Sequence, residues 1–222
     1  ELNEHNNLKI MYGNLYHYES TEKFIDIFKN NKKADIVTAD GGFDYSNDYN
    51  SQEINSVRII TAELIHAFLI LKTDGHYVCK LFDLFSKPMN KIIYILYSFF
   101  NEIYIVKPKT SRPANSEKYI ICKNFKGINQ EDVPNLIRLL SQFNDEDLFD
   151  FNLNLPLEFI QLMKEYNLFY SKFQCFYLDK TLTMTKSKLK DKQIIDILKY
   201  QIKNATNWCN QYKIDINKNC KY

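Results

Sequence analysis

The chain has 222 residues, of which 45% are hydrophobic, and this is enough to bury a core for one large domain or for a domain with an appendage. Its 29 Lys and Arg against 27 Asp and Glu give a net charge of +2, which excludes a bulk nonspecific nucleic-acid binder and leaves room only for a local patch. No apolar run approaches the roughly 20 residues of a membrane span, and no signal peptide is visible, so we expect a soluble protein with no membrane partner.

The cysteines indicate the redox environment of the protein, and the first residue indicates whether the chain is part of a longer one. Five widely spaced cysteines without a CxxC pair argue against a disulfide framework and a zinc site, so we predict no metal and a reducing compartment. Because the sequence begins at Glu1 rather than Met, we expect an excised or processed piece of a longer protein.

The amino-terminal elements are short. A strand is predicted over residues 8–12, followed by a helix over residues 20–29 with Ser20 or Thr21 as its N-cap. A mostly apolar run over residues 34–39 then stops at an Asp-Gly-Gly turn, which is typical of a buried parallel strand.

Alternating helices and strands follow. Apolar residues spaced four, three and four apart predict a helix, Gly75 predicts a turn, and Pro88 predicts a helix start. The loop before the last strand is too short for a crossover helix, so we expect that strand to be antiparallel. The predicted order is a helix over 56–72, a strand over 76–82, a helix over 88–100, a strand over 103–106 and a strand over 118–123.

This order is typical of the carboxyl half of a doubly wound α/β sheet, and we predict a Rossmann-like sheet whose last strand is antiparallel. Helical patterns near residues 130–143, 157–166 and 190–212 have no strands between them, which predicts a helical carboxyl-terminal appendage. We expect the sheet domain to cover residues 1–127 and the appendage residues 128–222.

Three polar residues stand at or near the ends of these predicted strands, namely Asp40, Lys80 and Glu117. An amine and two carboxylates on neighbouring strands of one sheet form a candidate acid/base cluster. Taken singly, each has an ordinary explanation: a turn aspartate, a lysine whose amine reaches water, and a polar residue at a strand start. Their joint occurrence at the edge where open α/β sheets bind ligands favours function.

Three stretches resemble a known family. TADGGFDYS, HYVCKLFDLF and IVKPKTSRPANSEKYIICK are similar to the FtsJ-type ribose 2′-O-methyltransferases, and within them to the cap-specific mRNA (nucleoside-2′-O-)-methyltransferases of eukaryotes and large DNA viruses. The resemblance covers roughly residues 34–127, with a weaker echo in LPLEF at residues 155–159. It implies a Rossmann-like sheet, S-adenosylmethionine as cofactor, capped RNA as partner, a Lys-Asp-Lys-Glu tetrad, and a nuclear or cytoplasmic location, cytoplasmic for a viral protein.

The resemblance assigns roles position by position. Asp40 matches the tetrad aspartate, Lys80 the second lysine and Glu117 the glutamate, while Asp40, Gly41 and Gly42 are implied to contact the cofactor. The first lysine and the glycine-rich cofactor loop have no counterpart, since none of the five glycines forms GxGxxG or GxGxF. We therefore expect the chain to need an amino-terminal segment or another capping subunit to hold its cofactor.

The implied reaction is in-line attack of a ribose 2′-oxygen on the sulfonium methyl group. Lys80, as a neutral amine, would take the hydroxyl proton, and for this its pKa would have to fall by about 3 units from the ordinary lysine value. Asp40 and Glu117 raise that pKa, so we expect them to orient the lysine and the hydroxyl.

The loop before the last strand offers contacts for RNA. Its cations suit phosphates, and its hydroxyl and amide groups suit sugars or bases, although a solvated basic loop is the ordinary alternative. In the family, an acidic residue after the DGGF stretch pairs with the cap guanine; Asp48 is the nearest candidate, and Tyr49 is the other residue that could occupy that place. The loop candidates are Lys107, Lys109, Ser111, Arg112 and Asn115.

Two further hypotheses stand beside the methyltransferase. The absent glycine loop and first lysine favour a catalytically inactive methyltransferase-like module that binds RNA or a capping partner. An α/β interaction domain without an RNA role requires the SRPANSE resemblance to be chance.

Overall fold

The computed structural model describes residues 11–28, 33–44, 48, 51–142, 153–187 and 191–217. The chain forms two compact units, Glu1–Gln174 and Cys175–Tyr222. The predicted division at residue 127 stays a prediction. Most of the predicted strand over residues 8–12, and the alternative residue Tyr49, lie outside the described residues.

The first unit is an α/β structure. Its helices and strands alternate as the sequence predicts, and the predicted helix after residue 156 is twenty residues longer than expected. In chain order the elements of the whole chain are α1 (Tyr18–Ile27), β1 (Ala34–Ala39), α2 (Gln52–Ile70), β2 (Leu71–Leu81), α3 (Lys87–Phe99), β3 (Phe100–Val106), β4 (Lys118–Phe125), a 3-10 turn (Gln130–Asp132), α4 (Val133–Gln142), α5 (Leu157–Lys186) and α6 (Asp191–Tyr212).

The four described strands form one sheet in the order β1-β2-β4-β3. β1 and β2 are parallel, and β4 runs antiparallel to both β2 and β3, which confirms the predicted antiparallel last strand. β4 enters between two strands that precede it in the chain. The carboxyl ends of β1 and β2 therefore meet at one edge, beside the amino-terminal end of β4.

β1 has the predicted bounds but not the predicted burial. Its side chains are exposed or half-buried, and Ile36 is 59% exposed. The physical reason is that β1 is the edge strand of the described sheet, with β2 as its one neighbour there. A mostly apolar composition does not by itself place a strand in the middle of a sheet.

The start of α1 differs from the prediction. The helix begins at Tyr18, and its N-cap is His17, without a side-chain cap, rather than Ser20 or Thr21. Thr21 is fully buried instead, where its hydroxyl donates to the His17 carbonyl oxygen (3.1 Å) and lies 3.1 Å from Nε2 of His66. Thr21 thus joins α1 to α2 rather than capping α1.

The predicted turn at Gly75 is an irregularity within β2. Leu71, predicted to be helical, is the first residue of this strand, and Asp74 has a left-handed backbone with φ of 64°. The register between β1 and β2 shifts between Ala34 and Ile36, which accommodates the extra residues.

α2 and α3 supply most of the core that supports the sheet. α2 is buried over most of its length, and α3 begins at Lys87 with Ser86 as its N-cap and Pro88 in its first turn, as predicted. Side chains from α2, such as Ala62 and Ala67, are completely buried.

The second unit is helical where it is described, and it contains α6 and the end of α5. No residue of α6 is buried. Among the helices in the described parts of the chain, none combines the length and the apolar character needed to cross a membrane.

Candidate active site at the carboxyl ends of β1 and β2

Asp40 and Lys80 form an ion pair at this edge of the sheet. Asp40 directly follows β1, and the parallel register that pairs Ala39 with Cys79 sets it beside Lys80 of β2. Nζ of Lys80 contacts Oδ1 of Asp40. The lysine side chain is 20% exposed and the aspartate 64% exposed, so the amine is largely covered while the carboxylate is open to solvent.

β4 brings Glu117 to the same place. Lys80 is the cross-strand partner of Tyr119, and Glu117 directly precedes β4. The charges of Glu117 and Asp40 act on both Lys80 and Tyr119. The structure therefore brings the three residues singled out in the sequence together and adds Tyr119, which the sequence analysis missed. Their catalytic role stays a prediction.

The residues around Lys80 raise its pKa and so favour its ammonium form. Burial by itself lowers the pKa of Lys80, but the hydrogen bond and charge of Asp40, followed by the charges of Tyr119 and Glu117, outweigh it, and the pKa lies above its usual value. Burial, with Glu117 and Asp40, also raises the pKa of Tyr119. The ammonium form of Lys80 therefore predominates near neutral pH, as expected for an amine between carboxylates.

Glu63 of α2 is a second residue that the sequence analysis missed. Its Oε1 accepts a hydrogen bond from the Gly41 amide (2.6 Å), and its Oε2 lies 3.8 Å from Sγ of Cys79. A Cβ at Gly41 would collide with Oε1 of Glu63 and approach Cγ1 of Ile59 to 2.8 Å, so a larger residue here would displace one or both of these side chains. The sequence did contain a signal for Glu63, because a carboxylate within the apolar pattern of a predicted helix, three residues after Ile60, indicates a buried charge.

Lys107 organises the loop between β3 and β4. Its ammonium donates hydrogen bonds to the carbonyl and side-chain oxygens of Asn115 (2.9 and 2.8 Å) and to the carbonyl oxygen of Glu117 (2.8 Å), with Ser111 Oγ at 3.4 Å. Burial, and then the charge of Lys118, lower the pKa of Lys107. Three of the predicted RNA contacts, Lys107, Ser111 and Asn115, thus contact one another inside the loop.

The other RNA candidates face outward. Lys109, Arg112 and Asp48 are exposed, and Asp48 accepts a hydrogen bond from the Ser51 hydroxyl. Gly42 follows Gly41 in the exposed segment after β1. Binding of RNA by these residues stays a prediction.

Buried charges support the loop that follows β2. Lys118 is 4% exposed; its Nζ donates to the Ser116 carbonyl oxygen (2.9 Å) and lies 3.5 Å from Asp83. Glu53 of α2 accepts hydrogen bonds from the amides of Phe85 (3.2 Å) and Ser86 (2.7 Å). These contacts fix the backbone of Phe85 while its ring remains 60% exposed.

The cluster fits one part of the implied cofactor. Two carboxylates, Asp40 and Glu117, against one ammonium, Lys80, leave a negative excess that suits a cationic sulfonium group. Within the described residues, no group of His, Cys, Asp and Glu could hold a metal ion.

Comparison with known proteins identifies the family. The model for the FtsJ-like methyltransferase family matches residues 1–125, which is more than half of the chain. The chain belongs to the FtsJ-like methyltransferase family. The predicted resemblance to FtsJ-type enzymes is therefore confirmed.

Named relatives of this FtsJ-like chain are much longer proteins. It is 39% identical over 134 residues to cap-specific mRNA (nucleoside-2′-O-)-methyltransferase 1 of Homo sapiens, covering 59% of the chain and 16% of the relative. It is 34% identical over 182 residues to the corresponding methyltransferase 1A of Caenorhabditis briggsae, covering 77% and 21%. The chain thus spans about a sixth to a fifth of the length of these relatives. Among solved structures, human methyltransferase-like protein 13 in complex with SAH is 10% identical with a TM-score of 0.40, covering 69% of this chain and 64% of that one.

Proposed function

We propose that this chain is part of an enzyme that methylates a ribose 2′-hydroxyl of capped mRNA, with Lys80 as the general base. The observation that carries the proposal is the Lys80–Asp40 ion pair, under the charge of Glu117, in an FtsJ-like chain. The cap-specific relatives support capped mRNA as the substrate.

The proposed methyl donor is S-adenosylmethionine, which supplies a methyl group on a positively charged sulfur. Asp40 is suited to hold a cation because its side chain is 64% exposed while its Oδ1 pairs with Lys80. The backbone of Gly41 and Gly42, which continues from Asp40 at the sheet edge, is the proposed surface along which the donor lies.

Lys80 must change its protonation state to act as a base. Asp40 and Glu117 hold its pKa above the usual value, so its amine carries a proton before substrates bind. Asp40 would hold Lys80 less strongly if it also faced a second cation, which would repel the ammonium, and exclusion of water by bound RNA would add desolvation. Both effects lower the lysine pKa, and the neutral amine then accepts the proton of the 2′-hydroxyl.

Exposed groups around the cluster suit RNA. Lys109 and Arg112 are exposed cations for phosphates on the loop before β4. Phe43 and Phe85 follow β1 and β2 and are 54% and 60% exposed, which suits stacking of their rings on bases. Phe85 is held by Glu53 through its backbone, so little order is lost when a base stacks on its ring.

The test is methyl transfer from labelled S-adenosylmethionine to capped RNA by the full-length protein. Lys80→Ala should abolish transfer. Lys72→Ala is the matched control, because Lys72 is also in β2 and pairs with an aspartate of β1, Asp35, but is exposed. The control should retain the rate of the unmodified protein.

Transfer that survives Lys80→Ala would contradict the assignment of the base. Calorimetry separates the enzyme from an inactive RNA-binding module: a full-length protein that binds capped RNA but not S-adenosylmethionine would contradict the proposed activity.

A further inference from the structure

Glu63 connects α2 to both strands that carry the ion pair. Through Oε1 it accepts the Gly41 amide, the residue after Asp40, and through Oε2 it contacts Cys79, the residue before Lys80. It is 8% exposed, so this carboxylate lies beneath the cluster rather than at the surface.

We propose that Glu63 is a positioning residue of the active site, which holds the Asp40–Gly41 segment against Lys80 and adds a negative charge near the amine. The proposal rests on the proposed function and names a further residue of that site. Glu63 is not a catalytic residue, because it acts through Gly41 and Cys79 and is covered from solvent.

The donors around Glu63 suit its carboxylate form. The Gly41 amide can only donate, and the Cys79 thiol keeps its proton because burial, and then the charge of Glu63, raise its pKa. The one thiol hydrogen has two acceptors within reach, the Lys80 carbonyl oxygen at 3.3 Å and Oε2 of Glu63 at 3.8 Å. Burial raises the pKa of Glu63, and the Gly41 hydrogen bond opposes this. The charges of Asp40 and Lys80 also act on Glu63, so the three groups are electrically coupled.

The space around Gly41 reflects the same close contact with Glu63. A side chain at this position would collide with Oε1 of Glu63, so a larger residue would displace the Glu63 carboxylate from its contact with the backbone amide. A buried carboxylate is costly to keep, and its amide contact could have been made by a neutral group. The negative charge of Glu63 interacts with the Lys80–Asp40 pair, and a neutral group in its place would not.

Glu53 is the matched control. It is on the same helix, is equally buried at 8% exposure, and also accepts backbone amides, those of Phe85 and Ser86. Its charge acts on Lys118. A lowered melting temperature common to variants of both glutamates reports stability, and a shift of the Lys80 titration specific to Glu63 reports its connection to Lys80.

The first experiment needs no methyl transfer. In full-length protein with 13C-labelled lysine, the Cε signal of Lys80, assigned from its absence in Lys80→Ala, is titrated with pH. Glu63→Gln should move the Lys80 midpoint to lower pH, because it removes a negative charge whose interaction with Lys80 favours the ammonium, whereas Glu53→Gln should leave it in place. An unchanged midpoint in Glu63→Gln would overturn the inference, whether or not the protein proves to be a methyltransferase.

The second experiment measures kcat and KM for capped RNA. Glu63→Ala should lower kcat by about tenfold or more with KM changed less than about twofold, since misplacing a catalytic group mainly costs rate. Glu63→Gln, which keeps an acceptor for Gly41, should recover part of this loss. Glu53→Ala should lower the melting temperature as much as Glu63→Ala does. If Glu53→Ala also lowers kcat as much as Glu63→Ala, the role of Glu63 is merely structural.

A double-mutant cycle tests the contact itself. Gly41→Ala and Glu63→Ala should each reduce kcat, and the double variant should be no worse than the more affected single variant, because both break one contact. Fully additive losses would overturn the proposed link and leave Gly41 with a separate role.

Discussion

Lys107, directly after β3, donates a hydrogen bond of 2.8 Å to the carbonyl oxygen of Glu117, directly before β4. The same ammonium donates to Asn115, so one side chain closes the whole loop between the two strands. A lysine predicted from the sequence to bind phosphate is thus suited to positioning Glu117 beside Lys80.

Lys107→Met should lower the rate of methyl transfer by about tenfold, because the loop that sets Glu117 loses its central donor. Amide hydrogen exchange of residues 108–116 should become faster. Lys109→Met is the control, since Lys109 is exposed, and it should weaken RNA binding without changing exchange. A different result would make Lys107 a phosphate contact. In that case Lys107→Met would weaken RNA binding with the same salt dependence as Lys109→Met and would leave amide hydrogen exchange unchanged.

Asp40→Asn should shift the pH dependence of kcat/KM. Asp40 raises the pKa of Lys80 through its hydrogen bond and its charge, so removing the charge lowers that pKa. The acidic limb, on which the rate rises as Lys80 loses its proton, should move to lower pH, while the maximal rate falls. Asp35→Asn, which removes the partner of Lys72, should leave the limb in place. A limb that stays or moves upward in Asp40→Asn would exclude Lys80 as its source.

Phe85→Ala should weaken binding of capped RNA by about 1 to 3 kcal/mol, the usual contribution of one stacked base. Fluorescence anisotropy with labelled capped RNA measures the change. Tyr97→Ala is the control, because Tyr97 of α3 is similarly exposed, at 57%, and lies away from the ends of β1 and β2. Equal effects of the two substitutions would argue against a stacking site at Phe85.

The folded protein should lose stability below about pH 6.5 through His66. Its Nδ1 donates to the Ala62 carbonyl oxygen (2.8 Å), and burial lowers its pKa, an effect that this hydrogen bond opposes. The folded state therefore binds fewer protons than the unfolded state, and its stability is complete above the ordinary histidine pKa and falls as the pH drops below it.

Urea unfolding between pH 5 and pH 7.5 measures this effect, and one group contributes at most about 1.4 kcal/mol per pH unit to the slope. His66→Gln should flatten this dependence of stability on pH. An unchanged slope in His66→Gln would assign the loss to other groups.

Much of the fold was predictable because its signals are local. The bounds of β1 follow from a short apolar run that ends at Asp-Gly-Gly, and the start of α3 follows from Pro88. The N-cap of α1 and the end of α2 were predicted wrongly, since Thr21 is buried against His66 and Leu71 joins β2. In both places, contacts distant in the chain outweigh local preference.

The sequence by itself determined the family, the α/β class, the antiparallel last strand and the three residues at the strand ends, because period, turn residues and motif strings are properties of neighbouring positions. Only the tertiary structure decided that β4 lies between β2 and β3, that Glu63 holds Gly41, and that Lys107 points into its own loop. These depend on which strands share hydrogen bonds and on how α2 packs beneath the sheet. Such choices balance contacts over the whole chain, and no local pattern encodes them.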